Sequence, residues 1–266
     1  MIGIKLNFTL IMKITLMISF LIITFVSLSQ LGRKNIQSFF GIQIKPIFPA
    51  KYIGQKNYTF STNNSDSIQY SSSINQKTGY SFGGTVRAGI SKLIAIETGI
   101  NFYQRNFNLN VDVPDSNIFV QNDISFINYD IPINALFYIP LSEKIYMNAS
   151  LGASLTMKPT RVGVTTKSTG SNEFYHTGIV NNKFGIALNG NMGFEYRIKK
   201  IGIFYLGGSA QVPIDPIFNL QTLYKHEGYK SYLYGDVNGS YFAIDIKYFF
   251  PIINNKGKQF LEGPIE

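Results

Sequence analysis

The amino-acid sequence predicts an all-β protein, a single eight-stranded, antiparallel, up-and-down transmembrane β-barrel preceded by a signal peptide. Three observations support this prediction. Apolar and polar residues alternate along eight segments, the connections between these segments are short and long in turn, and the only long apolar run lies at the N-terminus. Alternation with a period of two is typical of a strand whose two faces meet different surroundings.

The N-terminal run covers residues 14–28, with Lys5 and Lys13 before it and the small polar residues Ser27 and Ser29 at its end. This order is typical of a secretory signal peptide. The run of about 15 residues is shorter than the roughly 20 that a membrane-spanning helix needs. We therefore expect residues 1–29 to be a signal peptide starting at Met1 or Met12, and the alternative is an uncleaved anchor.

The alternation is clearest in segments 127–139, 145–157 and 184–198, where Ile, Leu, Met and Phe recur at every second position. The remaining five segments alternate less regularly, and they are 37–48, 79–90, 94–107, 201–213 and 238–250. No linker divides them, so residues 30–250 are predicted to form one barrel domain.

The connections between the strands alternate in length. Three are tight turns, at residues 91–93, 140–143 and 199–200. Four are long and rich in Asn, Ser, Gly, Lys and Tyr, and they cover 49–78, 108–121, 158–182 and 214–237. Outer-membrane barrels have short periplasmic turns and longer extracellular loops. We therefore expect an outer-membrane protein of a diderm bacterium, with extracellular long loops and with both termini periplasmic, including a tail at 251–266.

The two faces of the strands differ in bulk, and this difference predicts which face points outward. The apolar faces carry mostly Ile, Phe, Tyr, Leu and Met, more volume than an eight-stranded lumen can hold. The opposite faces carry Gly, Ser and Ala together with charged residues in mid-strand. A cation facing lipid at the bilayer midplane costs roughly 2–4 kcal/mol, so we expect a paired charge network inside the lumen, formed by Lys45, Arg87, Glu97, Arg105, Asp130, Glu195, Arg197, Asp245 and Lys247.

The composition excludes several kinds of chemistry. Without cysteine there is no disulfide, no thiolate metal site and no cysteine nucleophile. The two histidines, His176 and His226, lie in predicted loops near Ser171, Glu173 and Glu227, but no known catalytic spacing is matched. We therefore expect no enzyme activity, no catalytic residue, no metal site and no cofactor, and a lipid-modifying outer-membrane enzyme is the weaker alternative.

Tyrosines in the first and fourth long loops are candidate contact residues, because tyrosine is enriched at interfaces. Two other interpretations stay open: the loops fold over the barrel mouth, or the strands continue beyond the membrane. The candidates are Tyr52, Tyr58, Tyr70, Tyr224, Tyr229, Tyr232 and Tyr234.

The segment from Asn128 to Tyr138, with Tyr129-Asp130-Ile131-Pro132-Ile133 at its centre, resembles a strand of the PorT-like outer-membrane β-barrel proteins. The glycine-containing segment 149–153, the segment 193–196 and the aromatic end at 248–250 fit the same family, so the resemblance covers roughly residues 38–250. It implies an eight-stranded outer-membrane barrel without catalytic residues, and some relatives take part in protein secretion. The sixteen residues that follow Phe250 depart from the C-terminal aromatic ending of many such barrels.

The net charge of +9 would also suit a nucleic-acid partner. However, the surplus falls on the predicted periplasmic rim, at Arg33, Lys34, Lys92, Lys199 and Lys200. Basic residues there can meet anionic lipid headgroups, so we expect the lipid bilayer and other envelope proteins as partners, and no nucleic acid. The predicted function is an anchor, scaffold or binding protein with a filled lumen, or an accessory of a secretion or envelope complex; the alternative is a narrow pore.

Overall fold

The computed structural model describes residues 38–50, 57–62, 68–91, 93–158, 162–167, 172–198 and 201–251. The predicted signal peptide, Tyr52, Ser171, the tail from residue 252 onward and the five basic rim residues lie outside these described residues.

The described chain is almost entirely β-structure. In order, the strands are β1 (Ser38–Pro49), β2 (Asn57–Ser61), β3 (Ser71–Gln76), β4 (Gly79–Ser91), β5 (Ile94–Val113), β6 (Ile118–Pro140), β7 (Ile145–Met157), β8 (Val162–Lys167), β9 (Glu173–Ile179), β10 (Phe184–Ile198), β11 (Gly202–Pro213), β12 (Phe218–His226), β13 (Tyr229–Val237) and β14 (Tyr241–Phe249). A single 3₁₀ turn, Pro114–Ser116, joins β5 to β6. Among the described residues, no helix is long and apolar enough to cross a membrane.

Eight strands close into a barrel. Each of β1, β4, β5, β6, β7, β10, β11 and β14 pairs antiparallel with the next one in this order, and β14 returns to pair with β1. At this seam Ile42 lies opposite Tyr248, and Phe48 lies opposite Phe242. The predicted eight-stranded antiparallel barrel is confirmed. Six strands lie close to the bounds expected from the alternation, whereas β5 and β6 extend well beyond theirs.

The outer surface of the barrel is apolar. The strands keep one face inside, so every second side chain points outward. The exposed large side chains form a band that we call the apolar belt, and it includes Phe40, Ile42, Ile44, Phe82, Ile100, Ile131, Ile133, Leu151, Leu155, Ile186, Leu188, Met192, Leu206, Ile244 and Ile246.

The apolar belt ends at a sharp boundary on β5 and β6. Phe102 lies opposite Tyr129, and both are aromatic. Two residues farther along the same face, Gln104 lies opposite Ile127, and in the next pair Asn106 lies opposite Ser125. Above this boundary the outward side chains of both strands are mainly polar, although the strands continue without a break.

The prediction of a loop at residues 108–121 is corrected, since β5 and β6 form a long hairpin there. The reason is that the alternation continues beyond residue 107. Phe107, Leu109, Val111 and Val113 point to one side and are fully buried, and Asn and Asp residues lie between them. Asparagine-rich segments of a sequence are typical of loops, but here the asparagines lie on the outward-facing side of a sheet.

The other three long connections also fold as strands. The hairpin β2–β3 adds to the upper part of β5, which gives a sheet in the order β2-β3-β5-β6. The segments β8–β9 and β12–β13 form a second sheet in the order β13-β12-β9-β8. We call these two sheets the cap; it comprises β2, β3, β8, β9, β12, β13 and the upper parts of β5 and β6.

The two cap sheets share an apolar core. Phe218 of one sheet contacts Phe107 and Phe126 of the other, with ring centroids 5.3 and 5.2 Å apart. The Tyr70 and Tyr224 rings meet across the sheets at 5.4 Å. Along one side of the cap, Gly235 of β13 lies directly beneath the Phe60 ring of β2, where a Cβ would collide with it. The long connections therefore form a folded β-sandwich on top of the barrel.

Candidate functional site

The lower half of the barrel lumen holds a cluster of five buried charges. Arg87 of β4 donates to Glu97 of β5 at 2.6 Å and to Glu195 of β10 at 2.5 Å. Lys247 of β14 donates to the other oxygen of Glu97 at 2.5 Å, and Arg197 donates to Glu195 at 2.9 Å. The cluster links four strands across the lumen, and each carboxylate bridges two cations.

Aromatic rings and amides complete this cluster. The Arg87 guanidinium lies 4.0 Å from the Phe249 ring, and the Arg197 guanidinium lies 3.9 Å from the Tyr146 ring. Asn148 donates to Glu195 at 2.7 Å. These contacts compensate part of the cost of burying five charges. Two nitrogens of Arg197, Nε and Nη1, have no hydrogen-bond partner among the described residues, and the guanidinium lies against the Tyr146 ring.

Asp245 forms a second group in the middle of the lumen. Its carboxylate lies 3.5 Å from the Lys45 ammonium and accepts a hydrogen bond from Ser209 at 2.7 Å. Asn191 donates to the second carboxylate oxygen. Lys45 is the one predicted lumen charge that is only half-buried, whereas the other eight are buried.

Arg105 and Asp130 interact through two amide side chains. Arg105 donates to the carbonyl oxygen of Asn128 at 3.3 Å and to that of Gln211 at 3.0 Å. The amide nitrogens of these two residues then donate to Asp130, at 2.9 and 2.7 Å. The sequence prediction named both charges but missed the two amides, because Asn and Gln on a lumen face carry no signal of their own.

Apolar clusters lie near both ends of the lumen. Near the short turns, Phe39, Ile203 and Phe249 pack together. Below the cap, Ile47, Tyr103, Tyr241 and Ala243 form a second cluster. The space between them is a polar cavity of about 20 Å³, room for about one water molecule. Among the described residues, the lumen is therefore filled and most of its charges are paired.

The tyrosines predicted as loop contacts divide into two groups. Tyr58, Tyr70 and Tyr224 belong to the cap core and are at most 7% exposed, so the prediction that they contact a partner is corrected. Tyr229 packs against that core. Their burial follows from the sandwich, because each points toward the opposite sheet. Tyr232 and Tyr234 are exposed on the outer face of β13.

His176 is buried in the cap core, on the inner face of β9. Its Nδ1 lies 3.2 Å from the hydroxyl of Thr222, which lies 3.0 Å from the hydroxyl of Ser72. Burial lowers the pKa of His176 to about 4, because the charged imidazolium loses its water. Its sequence neighbour Glu173 points to the opposite face of the same strand, where its carboxylate accepts a hydrogen bond from Tyr175.

The second histidine, His226, lies at the turn between β12 and β13, 4.0 Å from Glu227. Neither histidine has a hydroxyl nucleophile on one nitrogen and a carboxylate on the other among the described residues. The arrangement needed for a histidine-activated nucleophile is thus not assembled in this part of the chain.

No protein-family model and no curated protein sequence matches the chain. Among solved structures, it is similar to the outer membrane protein OprG from Pseudomonas aeruginosa, with a TM-score of 0.47 and 11% identity over 82% of this chain and 98% of that chain. It is also similar to the β domain of the Bordetella autotransporter BrkA, with a TM-score of 0.29 and 7% identity over 81% of this chain and 98% of that chain.

Replacing one lumen carboxylate tests the charge network. Glu97→Gln leaves Arg87 and Lys247 without their shared anion, and breaking a buried pair in this way costs about 3–5 kcal/mol. We expect the free energy of unfolding, measured by urea titration in lipid vesicles, to fall by that amount.

Asp123→Asn is the matched control, because it makes the same chemical change in an exposed pair. Asp123 lies 2.8 Å from Lys77 on the outside of the cap, with both side chains well exposed. Such pairs contribute less than about 1 kcal/mol. Equal losses in the two variants would contradict a buried lumen network.

The buried histidine makes the stability of the cap depend on pH. The pKa of His176 is about 4 in the folded chain and 6.5 for a free side chain. Between these values the unfolded chain binds more protons than the folded chain does. The contribution of neutral His176 to the free energy of unfolding is therefore complete above pH 6.5 and is lost as the pH falls toward 4. We expect wild type to lose up to about 3 kcal/mol more than His176→Gln over this window, measured by urea unfolding at several pH values.

His226→Gln is the control, since this side chain lies at the exposed tip of the cap. It should retain the wild-type pH dependence. If His176→Gln also retains it, the histidine is not held neutral in the core.

Proposed function

We propose that this chain is an outer-membrane β-barrel that holds a folded β-sandwich at the cell surface. The observation that carries the proposal is the change along β5 and β6 from an apolar to a polar outer face at one height. Below this height the apolar belt surrounds the barrel and most of the nine charges lie inside, whereas Arg105 lies three residues beyond Phe102 and points into the same interior. A barrel in a bilayer needs apolar side chains outside and charges inside, whereas a barrel in water has no need of this distribution.

The closed sheet supports a membrane location for a second reason. A bilayer core offers no hydrogen bonds to backbone groups, so only helices and closed barrels can cross it. The pairing of β1 with β14 satisfies the backbone groups that would otherwise form two open edges. A soluble barrel would gain nothing from exposing large side chains such as Leu151, which is 70% exposed, or Ile100, which is 63% exposed.

In the proposed orientation, the short turns and both termini face the periplasm, and the cap faces the outside of the cell. Short periplasmic turns and long extracellular segments are the rule for such barrels, and the predicted signal peptide supplies the route of export. Membership of the PorT-like family, and a role as an accessory of a secretion or envelope complex, stay predictions from the sequence.

Within this proposal the barrel is an anchor, and the cap is the part that meets partners. A filled lumen argues against transport of solutes, and the separation of His176 from Glu173 argues against a lipid-modifying activity. The cap presents two outer sheet faces that the barrel leaves free, so a binding or scaffold role is the function that this geometry supports best.

Planar bilayer recordings test the proposal. The chain is first reconstituted in liposomes and floated on a density gradient, and it should rise with the lipid. After fusion to a planar bilayer we expect no steady open state, because the lumen is filled by two apolar clusters and a charge cluster. An open porin reconstituted in the same way is the positive control. Failure to float with lipid, or a reproducible stable conductance, would contradict the proposal.

A further inference from the structure

The outer face of the β13-β12-β9-β8 sheet carries a group of aromatic side chains. Tyr232 and Tyr234 are 47% and 63% exposed, and they are neighbours on the same face of β13. Their ring centroids lie 6.2 Å apart, with an angle of 12° between the ring planes, so the two rings face the same direction. Neither packing in the cap core nor a place in the apolar belt accounts for tyrosines at these exposed positions.

The strand register extends this group across the sheet. Leu223 lies between Tyr232 and Tyr175, one on each neighbouring strand. Two strand spacings separate the outer residues of this row, about 10 Å. The Tyr175 ring is held by the Lys225 ammonium, 4.4 Å from its centroid, and its hydroxyl donates to Glu173 at 2.5 Å. We call Tyr175, Leu223, Tyr232 and Tyr234 the tyrosine face.

A polar row runs beside the tyrosine face. Gln221 lies opposite both Tyr234 and Thr177, and Thr177 lies opposite Gly163 on β8. Gln221 donates to the Tyr234 hydroxyl at 3.2 Å. Gly163 carries no side chain, so the surface of the sheet is recessed at this residue. Amide and hydroxyl groups therefore line a shallow strip next to the rings.

The charges on this sheet face nearly balance. By register, Lys167, Glu173, Lys225 and Lys230 occupy the row at the tip, and Asp236 lies at the other end, so the described strands place three cations and two anions on this face. Such a face attracts neither a strongly acidic nor a strongly basic partner. The chemistry on offer is ring stacking together with neutral hydrogen bonds.

A neutral sugar chain matches this chemistry. The C–H face of a sugar ring carries partial positive charge and is attracted to the negative face of an aromatic ring. Its hydroxyls need amide and hydroxyl partners at the edge of the rings, and Gln221 and Thr177 lie beside Tyr234 on the same face. A protein partner is less well matched, because the described residues of this face include no Arg, Met or Trp, which are enriched with tyrosine in protein interfaces.

We propose that the tyrosine face binds a neutral polysaccharide, with the sugar rings stacked on Tyr232 and Tyr234 and hydrogen-bonded by Gln221 and Thr177. This proposal rests on the proposed function, since it needs the cap to face the outside of the cell. The proposal assigns a ligand class to one sheet face of the cap. The outer face of the other cap sheet provides a control surface in the same protein.

Affinity electrophoresis tests the binding. The full chain is placed in lipid nanodiscs, which avoids detergents with sugar headgroups, and is run in native gels containing a β-glucan, a xylan, a mannan, a dextran or the anionic polymer alginate. We expect at least one neutral polymer to retard the wild type. The double variant Tyr232→Ala/Tyr234→Ala should bind that polymer roughly tenfold more weakly because both stacking rings are lost.

Two further variants make the result specific. Phe119→Ala removes an exposed aromatic, 66% exposed, from the opposite cap sheet and should bind as the wild type does. Tyr232→Phe/Tyr234→Phe keeps the rings and should retain most of the affinity. Retardation by alginate alone, by none of the neutral polymers, or equally in wild type and the double alanine variant would overturn the proposal. If the chain meanwhile floats with liposomes and shows no steady conductance in planar bilayers, the proposed anchor function stands and only the sugar site fails.

Discussion

Closure of the sheet is the constraint on which the rest of the structure depends. Once β14 pairs with β1, each barrel side chain faces either a narrow interior or the outside, and no third environment exists. The interior of eight strands has room for only a few large apolar residues, such as Phe39 and Phe249, so most of them form the outer belt. Charges in mid-strand are then forced inward, where Glu97 and Glu195 each bridge two cations. The filled lumen is thus a consequence of closure and narrowness together.

The same closure positions the cap. Because β5 and β6 run from the barrel into the cap without interruption, the two parts share these strands, and the strands set the direction of the sandwich. The hairpin β2–β3 extends this sheet, and the β13-β12-β9-β8 sheet covers it with Phe218 against Phe107 and Phe126. A rigid connection of this kind suits a protein whose binding surface is held at a fixed height above the membrane, which is the role that we propose.

The sequence was sufficient to predict the barrel but not the cap. In the barrel each strand shows its own alternation, and charges such as Arg87 and Glu97 stand out among small and apolar neighbours. In the cap the pairing partners are distant along the chain, as for Ser72 and Thr222, which are 150 residues apart. The outer face of its β2-β3-β5-β6 sheet is rich in Asn and Ser, so the local pattern is that of a loop. The burial of Tyr58 and Tyr224 depends on this tertiary packing and leaves no trace in local sequence. In the barrel, the amide bridge through Gln211 was missed for a similar reason, because it forms across the lumen between distant strands.

Depth measurements on β5 test the central claim most directly, and the absence of native cysteine makes them simple. Single spin labels at Ile100→Cys and Asn106→Cys occupy the same outer face of one strand, on opposite sides of the boundary after Phe102. In liposomes, we expect the label at 100 to collide with oxygen and to be shielded from a water-soluble nickel complex, and the label at 106 to show the reverse. Equal access of the nickel complex to both positions would contradict a barrel whose apolar belt faces lipid.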